Sequence, residues 1–261
     1  MNLKQTEFKK IQTKIYDYCG INLHEGKQAL VRSRVMKRIR KLGLQNFSHY
    51  LNYLESDSSG EEFLALVDVL TTNKTSFFRE SQHFKFIRDN VLPEINGRQV
   101  KWWSAGCSTG EEVVSSSIVI QENINPQSVK ILGTDISRDV IKTAKRGVYQ
   151  AKSVKGISPK LVSKYFRKVN DEQYQITESI RKMATYGRLN LKKKWPLNGP
   201  FQIIMCRNVM IYFNRETQQE LVSRFRKMLE PGGYLFLGHS ESIASADRKF
   251  ENISPAVYRK K

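Results

Sequence analysis

Residues 100–122 constrain the fold more than any other stretch of this chain. Val100, Trp102 and Trp103 form an apolar run, Ser104 to Gly110 a turn of small residues, and Glu111-Glu112 open a helix-compatible segment. A strand, a tight glycine turn and a helix in that order form the ligand cradle of a doubly wound α/β sheet. The two carboxylates at the helix start select the charge of the ligand. A phosphate binds bare N–H groups in positive potential, and adjacent carboxylates repel it. A cation is favoured instead. S-adenosylmethionine, with its sulfonium and ammonium, suits this turn better than a dinucleotide.

The same residues contain Gly106-Cys107-Ser108-Thr109-Gly110, a G-x-S-x-G pattern, and Asp135 and His239 follow in the hydrolase order. Asp135 comes only 27 positions after Ser108, at the end of the next strand. A triad acid is expected several strands later, and no His-Gly-Gly segment supplies an oxyanion hole. The serine hydrolase is therefore the weaker reading.

At 261 residues the chain holds one large domain, or one medium and one small. Three cysteines (Cys19, Cys107, Cys206), odd in number and widely spaced, fit a reducing compartment and exclude a disulfide framework or a CxxC metal site. No apolar run of a signal peptide opens the sequence and no stretch approaches a membrane span, so a cytoplasmic location is expected. The formal charge of +19 calls for an acidic partner or surface. It is uneven: residues 1–78 carry a net +4 and residues 138–194 a net +12.

Residues 1–70 read as helical. In 29–42, Val31, Val35, Ile39 and Leu42 form one apolar stripe, and Gly43 stops the helix. Arg34, Lys37, Arg38, Arg40 and Lys41 spread over the opposite side, either a solvated surface or a contact face for an acidic partner. Further helices are expected over 47–55 and 60–71, and a connecting helix over 81–92 that Pro93 ends. From 99 onward strands and helices alternate: 100–104, 111–122, 129–134, 137–146, 201–206, 215–229 and 234–238, with Asn214 as a helix cap and Pro231-Gly232-Gly233 as a turn. Such alternation predicts a largely parallel sheet. Short strands at 165–169, 173–177 and 183–186 interrupt it and predict a small antiparallel insertion over about 148–188.

Asp135 ends the second strand 25 residues after Gly110, where an acid accepts hydrogen bonds from ribose hydroxyls. Asn73 and Thr75 suit directed hydrogen bonds, and Arg79 can grip a carboxylate through its planar fork. Arg207 and Asn208 close an apolar strand beside the expected switch-point cleft, and Tyr212 offers a ring face or a hydroxyl. His24, His49, His83 and His239 are scattered in the sequence, and none is read as a base or a metal ligand.

Six segments occur in order over 71–242: TTNKTSFFRE, WSAGCSTGEE, GTDIS, RLNL, CRNVMIYF and GGYLFLGHSES. Together they resemble the chemotaxis-receptor glutamate methyltransferases, the CheR family, and the basic helix LVRSRVMKRIRKLGL extends the likeness toward the N-terminus. The resemblance implies an all-α domain over 1–72 that contacts the receptor. It implies an S-adenosylmethionine-dependent, Rossmann-like catalytic domain over 73–261 with a small β insertion. The implied reaction is methyl esterification of glutamate side chains on the cytoplasmic helices of chemoreceptors, with S-adenosylhomocysteine as product. Carried over by motif, the cofactor contacts are Asn73, Thr75, Arg79, Glu112, Asp135, Asn190, Leu191, Arg207 and Asn208. Arg79 and Tyr212 stand nearest the transferred methyl. Separately, the basic face of helix 29–42 is the expected substrate contact, through Arg34, Lys37, Arg38 and Lys41.

Two departures are visible. Val113-Val114 replaces the Pro-Tyr that often follows the Glu pair, which touches helix packing more than ligand contacts. No glycine lies between Ile157 and Tyr186, whereas members that dock on a receptor's C-terminal pentapeptide use a glycine-containing loop there. The chain resembles the pentapeptide-independent type. A nucleic-acid methyltransferase using the basic 138–194 surface is the runner-up. Against it, a flipped base is gripped by an Asn/Asp-Pro-Pro-aromatic loop, and the chain contains no Pro-Pro. The partner expected is thus the receptor, with no nucleic acid, and with membrane proximity only through that receptor.

Overall fold

The computed structural model describes residues 1–243 and 249–261. It divides into two units, Met1–Thr72 with Tyr212–Thr217, and Asn73–Ile211 with Gln218–Lys261. Among the described residues no helix is long and apolar enough to cross a membrane.

The first unit holds helices α1 (Gln5–Cys19), α2 (Gln28–Lys41), α3 (Phe47–Ser56) and α4 (Glu61–Leu70). Phe8, Ile11 and Ile15 of α1, the Val31-Val35-Ile39 stripe of α2, Phe47 and Leu51 of α3 and Leu66 of α4 are all buried. The basic side of α2 is not one open face. Arg38 forms an ion pair with Glu62 of α4, whose side chain is 5% exposed and also accepts from the Tyr50 hydroxyl at 2.7 Å. Arg34 donates to the Leu70 and Thr71 carbonyls, both at 2.8 Å, and so caps the C-terminal end of α4. These two arginines, expected to lie free for a substrate, are held inside the unit, whereas Lys37 and Lys41 are exposed. Arg38→Ala leaves a buried carboxylate without its cation and should lower stability by about 2 kcal/mol in urea denaturation. Lys37→Ala should change it by less than about 0.5 kcal/mol.

The second unit starts with α5 (Ser81–Phe86), continues through a π-helical turn (Ile87–Val91) and finishes with α6 (Leu92–Ile95). Pro93 therefore does not end this helix, contrary to expectation. It sits in the first turn of α6, where a backbone N–H is not needed within the helix. Next come β1 (Val100–Ala105), α7 (Glu111–Asn123), β2 (Val129–Asp135), α8 (Arg138–Arg146), β3 (Val148–Gln150), α9 (Ala151–Val154), α10 (Pro159–Tyr165), β4 (Phe166–Asn170), β5 (Gln173–Ile176), α11 (Glu178–Arg181) and β6 (Ala184–Arg188). The chain closes with β7 (Phe201–Cys206), α12 (Arg215–Met228), β8 (Leu229–Leu237), β9 (Phe250–Ser254) and β10 (Val257–Lys260).

Among the described residues, seven strands form one sheet in the order β6-β2-β1-β7-β8-β10-β9. The first five run parallel, and β10 and β9 add antiparallel. Strand β6 was expected in the antiparallel insertion. It pairs parallel with β2 instead, Thr134 opposite Gly187 and Asp135 opposite Arg188. The small sheet is β3-β5-β4, so β3 supplies the third strand that β6 does not. Pro231-Gly232-Gly233 lies within β8 as an irregularity of the ladder, where Phe201 faces Leu229 and Ile203 already faces Tyr234. Val113 packs into the core of the main sheet and Val114 into that of the insertion. The residues that replace Pro-Tyr thus join α7 to both layers. Trp103, Trp195, Phe201 and Phe225 form an aromatic cluster. Arg224 lies 3.9 Å over the Trp195 ring and donates to the Leu191 carbonyl at 2.7 Å, which fixes the loop after β6.

Candidate functional site

Strands β1 and β2 end in register, Ala105 opposite Thr134. The chain then turns back sharply, with positive φ at Gly106 (89°), Ser108 (49°) and Gly110 (95°). A Cβ on Gly106 would run into the Val209 side chain, so only glycine fits where the turn passes the end of β7. The Gly106 and Cys107 N–H groups both donate to the Thr134 carbonyl, at 2.7 and 2.9 Å. This fastens the turn to the neighbouring strand.

Asp135 is buried, and its carboxylate accepts from the Ser108 N–H at 2.9 Å and the Ser137 N–H at 3.0 Å. The strand-end acid therefore joins the glycine turn to the start of α8. The Ser108 hydroxyl donates to the Asn73 carbonyl at 2.8 Å, and His239 lies against His83 with ring centroids 4.9 Å apart. Ser108, Asp135 and His239 do not form a triad, and the hydrolase reading is corrected on that geometry.

The two glutamates of the turn diverge. Glu111 is buried with Thr109 as its partner at 2.5 Å, and burial raises its pKa. Glu112 accepts from Ser104 at 2.7 Å and from Arg207 at 2.9 Å. The Arg207 guanidinium, whose side chain is 2% exposed, lies between two carboxylates, Glu112 and Glu80 at 3.0 Å. It also donates to the Arg79 carbonyl. Asn208 has positive φ (58°) and donates through its side chain to Glu80 at 3.1 Å. Burial works to raise the Glu80 pKa, but Asn208, Arg207 and the His239 N–H hold its carboxyl below the usual range.

These contacts bring Arg79, Glu112, Arg207 and Asn208 into one hydrogen-bonded network, with Asn73 tied to the turn through Ser108. Thr75 is half-buried in the same stretch. One arm of Arg79 donates to the Lys74 carbonyl at 2.9 Å. The Asn190 side chain accepts from the Lys192 N–H at 3.0 Å, and the Leu191 carbonyl takes both Arg224 and Trp195. Tyr212 belongs to the first unit, where its carbonyl accepts from the Asn22 N–H at 2.8 Å.

Two residues of the network were not singled out from the sequence. Glu80 has positive φ (53°) and is the hub for Arg207, Asn208 and His239. Glu241 is buried and accepts from the N–H groups of Asn208, Gly238 and Ile211 at 2.8, 2.6 and 3.1 Å. The only signal in the sequence was each acid's place inside a polar string, FFRE and GHSES. Phe78 (φ 52°), Glu80, Ser108 and Asn208 are four non-glycine residues at positive φ in this region. Such backbone cost gathers where a site is over-determined by its surroundings.

The residues fit S-adenosylmethionine. A glycine turn with a steric reason for its glycine, a buried strand-end acid and an acidic helix start present carboxylates, and not bare donors, to a cationic ligand. Comparison with known proteins agrees. Residues 73–259 match the family described as "CheR methyltransferase, SAM binding domain", and residues 6–71 match "CheR methyltransferase, all-alpha domain". The chain is 37% identical to the chemotaxis protein methyltransferase of Escherichia coli, over 98% of this chain and 91% of that protein. It is 35% identical to that of Borreliella burgdorferi, over 100% and 96%, and 37% identical to a probable one of Rhizobium etli, over 94% and 96%.

Proposed function

The chain belongs to the CheR methyltransferase family, whose members transfer methyl from S-adenosylmethionine in chemotaxis, and from that premise we propose that it esterifies glutamate side chains on the cytoplasmic helices of chemoreceptors. The single observation that carries this reading is the network of Arg79, Glu80, Glu112 and Arg207, which joins an arginine for a carboxylate substrate to acids for a cationic cofactor. Asn73, Thr75, Arg79, Glu112, Asp135, Asn190, Leu191, Arg207 and Asn208 are proposed to hold the cofactor. When bound, the cofactor supplies an electrophilic methyl on sulfur.

A glutamate carboxylate has a reference pKa near ~4.3 and is already a nucleophile at neutral pH, so the site needs no general base. Its work is orientation and exclusion of water. One arm of the Arg79 fork is tied to the Lys74 carbonyl, and the other is proposed to align the incoming carboxylate. Arg79 must hold the substrate loosely, because esterification removes the charge it grips. Arg207 keeps Glu112 in place, where the acid would complement the cofactor's positive charge. In the first unit, exposed Lys37 and Lys41 are proposed to meet the acidic, glutamate-bearing receptor helix. Arg34 and Arg38 support that surface from within. The proposed location is the cytoplasm, where such helices are.

The test offers labelled S-adenosylmethionine with a receptor cytoplasmic fragment, tRNA and DNA in parallel. We expect label in the receptor alone, and label in either nucleic acid would reverse the reading. The β4–β5 turn contains no glycine, so a receptor lacking its C-terminal pentapeptide should be methylated as well as the intact one. A marked loss of methylation on truncation would show that the pentapeptide is recognised.

A further inference from the structure

Glu80 has two further neighbours besides Arg207 and Asn208. His83 lies one helical turn on, with Nδ1 at 3.6 Å from the Glu80 carboxylate. His239, on the loop after β8, stands edge-to-face with His83 at 4.9 Å between ring centroids. Two histidines that look scattered in the sequence thus meet at one carboxylate. One ligand atom from each of Glu80, His83 and His239 can be chosen so that all lie within 4.8 Å of one another.

His83 is only 2% exposed; its ring faces the Pro255 carbonyl and the Glu80 carboxylate, yet neither ring nitrogen closes a hydrogen bond of good geometry among the described residues. A buried polar atom with no partner calls for a reason. Burial, helped by nearby Arg207, pushes its pKa down to about 4, so at neutral pH the ring is uncharged and keeps a lone pair. Glu80 and Glu112 flank the Arg207 guanidinium, and Glu241 accepts from the Asn208 N–H, so carboxylates outnumber the one buried guanidinium of this network.

We propose that Glu80, His83 and His239 form a binding site for a divalent transition-metal ion of the zinc class. Two imidazoles and one carboxylate match the His₂Glu set of open zinc sites, which leave a fourth position to water. Two ligands on one tetrahedral ion with bonds near 2.1 Å stand about 3.4 Å apart, close to the 3.6 Å between His83 and Glu80. His239 is exposed and free to rotate its ring onto the ion. Glu80 is shared with Arg207 and Asn208, so the metal site and the proposed cofactor network have one carboxylate in common.

The experiment uses the full chain, stripped with a chelator. Zinc is titrated by calorimetry, and cobalt(II) is added separately to read its visible absorption. We expect one zinc per chain, a tetrahedral cobalt spectrum, and at least a tenfold loss of zinc affinity in His239→Ala, a surface change that leaves the core intact. No zinc uptake at about 0.1 mM, or equal affinity in wild type and His239→Ala, would overturn the site. His24 and His49 remain in both proteins and control for uptake elsewhere.

Discussion

Arg207→Ala should unfold more easily than wild type by about 3–5 kcal/mol, the usual consequence of removing one partner from a buried ionic cluster. The guanidinium lies between Glu80 and Glu112, whose side chains are 14% and 13% exposed. Its loss leaves two carboxylates facing each other without a cation. It also frees the Arg79 carbonyl and releases the loop before α5. Chemical denaturation followed by fluorescence of the three tryptophans reads the change. Arg207→Lys should recover part of the loss, since one ammonium cannot serve both acids and the carbonyl with the geometry of a fork. Wild-type stability in Arg207→Ala would mean that the acids find other partners and that Arg207 is not the keystone of this site.

Arg79→Lys should reduce methyl transfer by on the order of a hundredfold, the scale of a substrate displaced by about 1 Å. Cofactor affinity should change much less. One arm of Arg79 is tied to the Lys74 carbonyl, and lysine has a single ammonium for both tasks. Its charge is retained, so a large fall in turnover isolates the geometry of the fork from its electrostatics. Single-turnover methylation alongside S-adenosylhomocysteine titration separates the two effects. Near-normal transfer by this variant would assign carboxylate alignment to another residue.

Much of the second unit is legible in the sequence. The β1–turn–α7 unit, β2 and β7 carry long apolar runs with clear punctuation, and the acid closing β2 declared itself by position. What escaped has identifiable causes. Strand β6 is five residues long and only partly buried, so its pattern reveals a strand but not which sheet it joins. The apolar stripe of α2 fixes the angle at which Arg34 and Arg38 leave the helix. Only the fold brings Glu62 and the end of α4 to meet them. Glu80 and Asn208 depend on positive φ at non-glycine residues, for which a sequence carries no reliable mark. The meeting of His83 with His239 follows from α5 lying beside the end of β8, a tertiary fact with no counterpart in spacing.

The most direct measurement is the chemical identity of the bond formed. Receptor fragment labelled by this enzyme from methyl-labelled S-adenosylmethionine is treated with mild base, and volatile methanol is collected. We expect the label to leave as methanol and to be absent when the accepting glutamates are replaced by alanine. Label that withstands base, or that persists after those glutamates are removed, would contradict glutamate esterification.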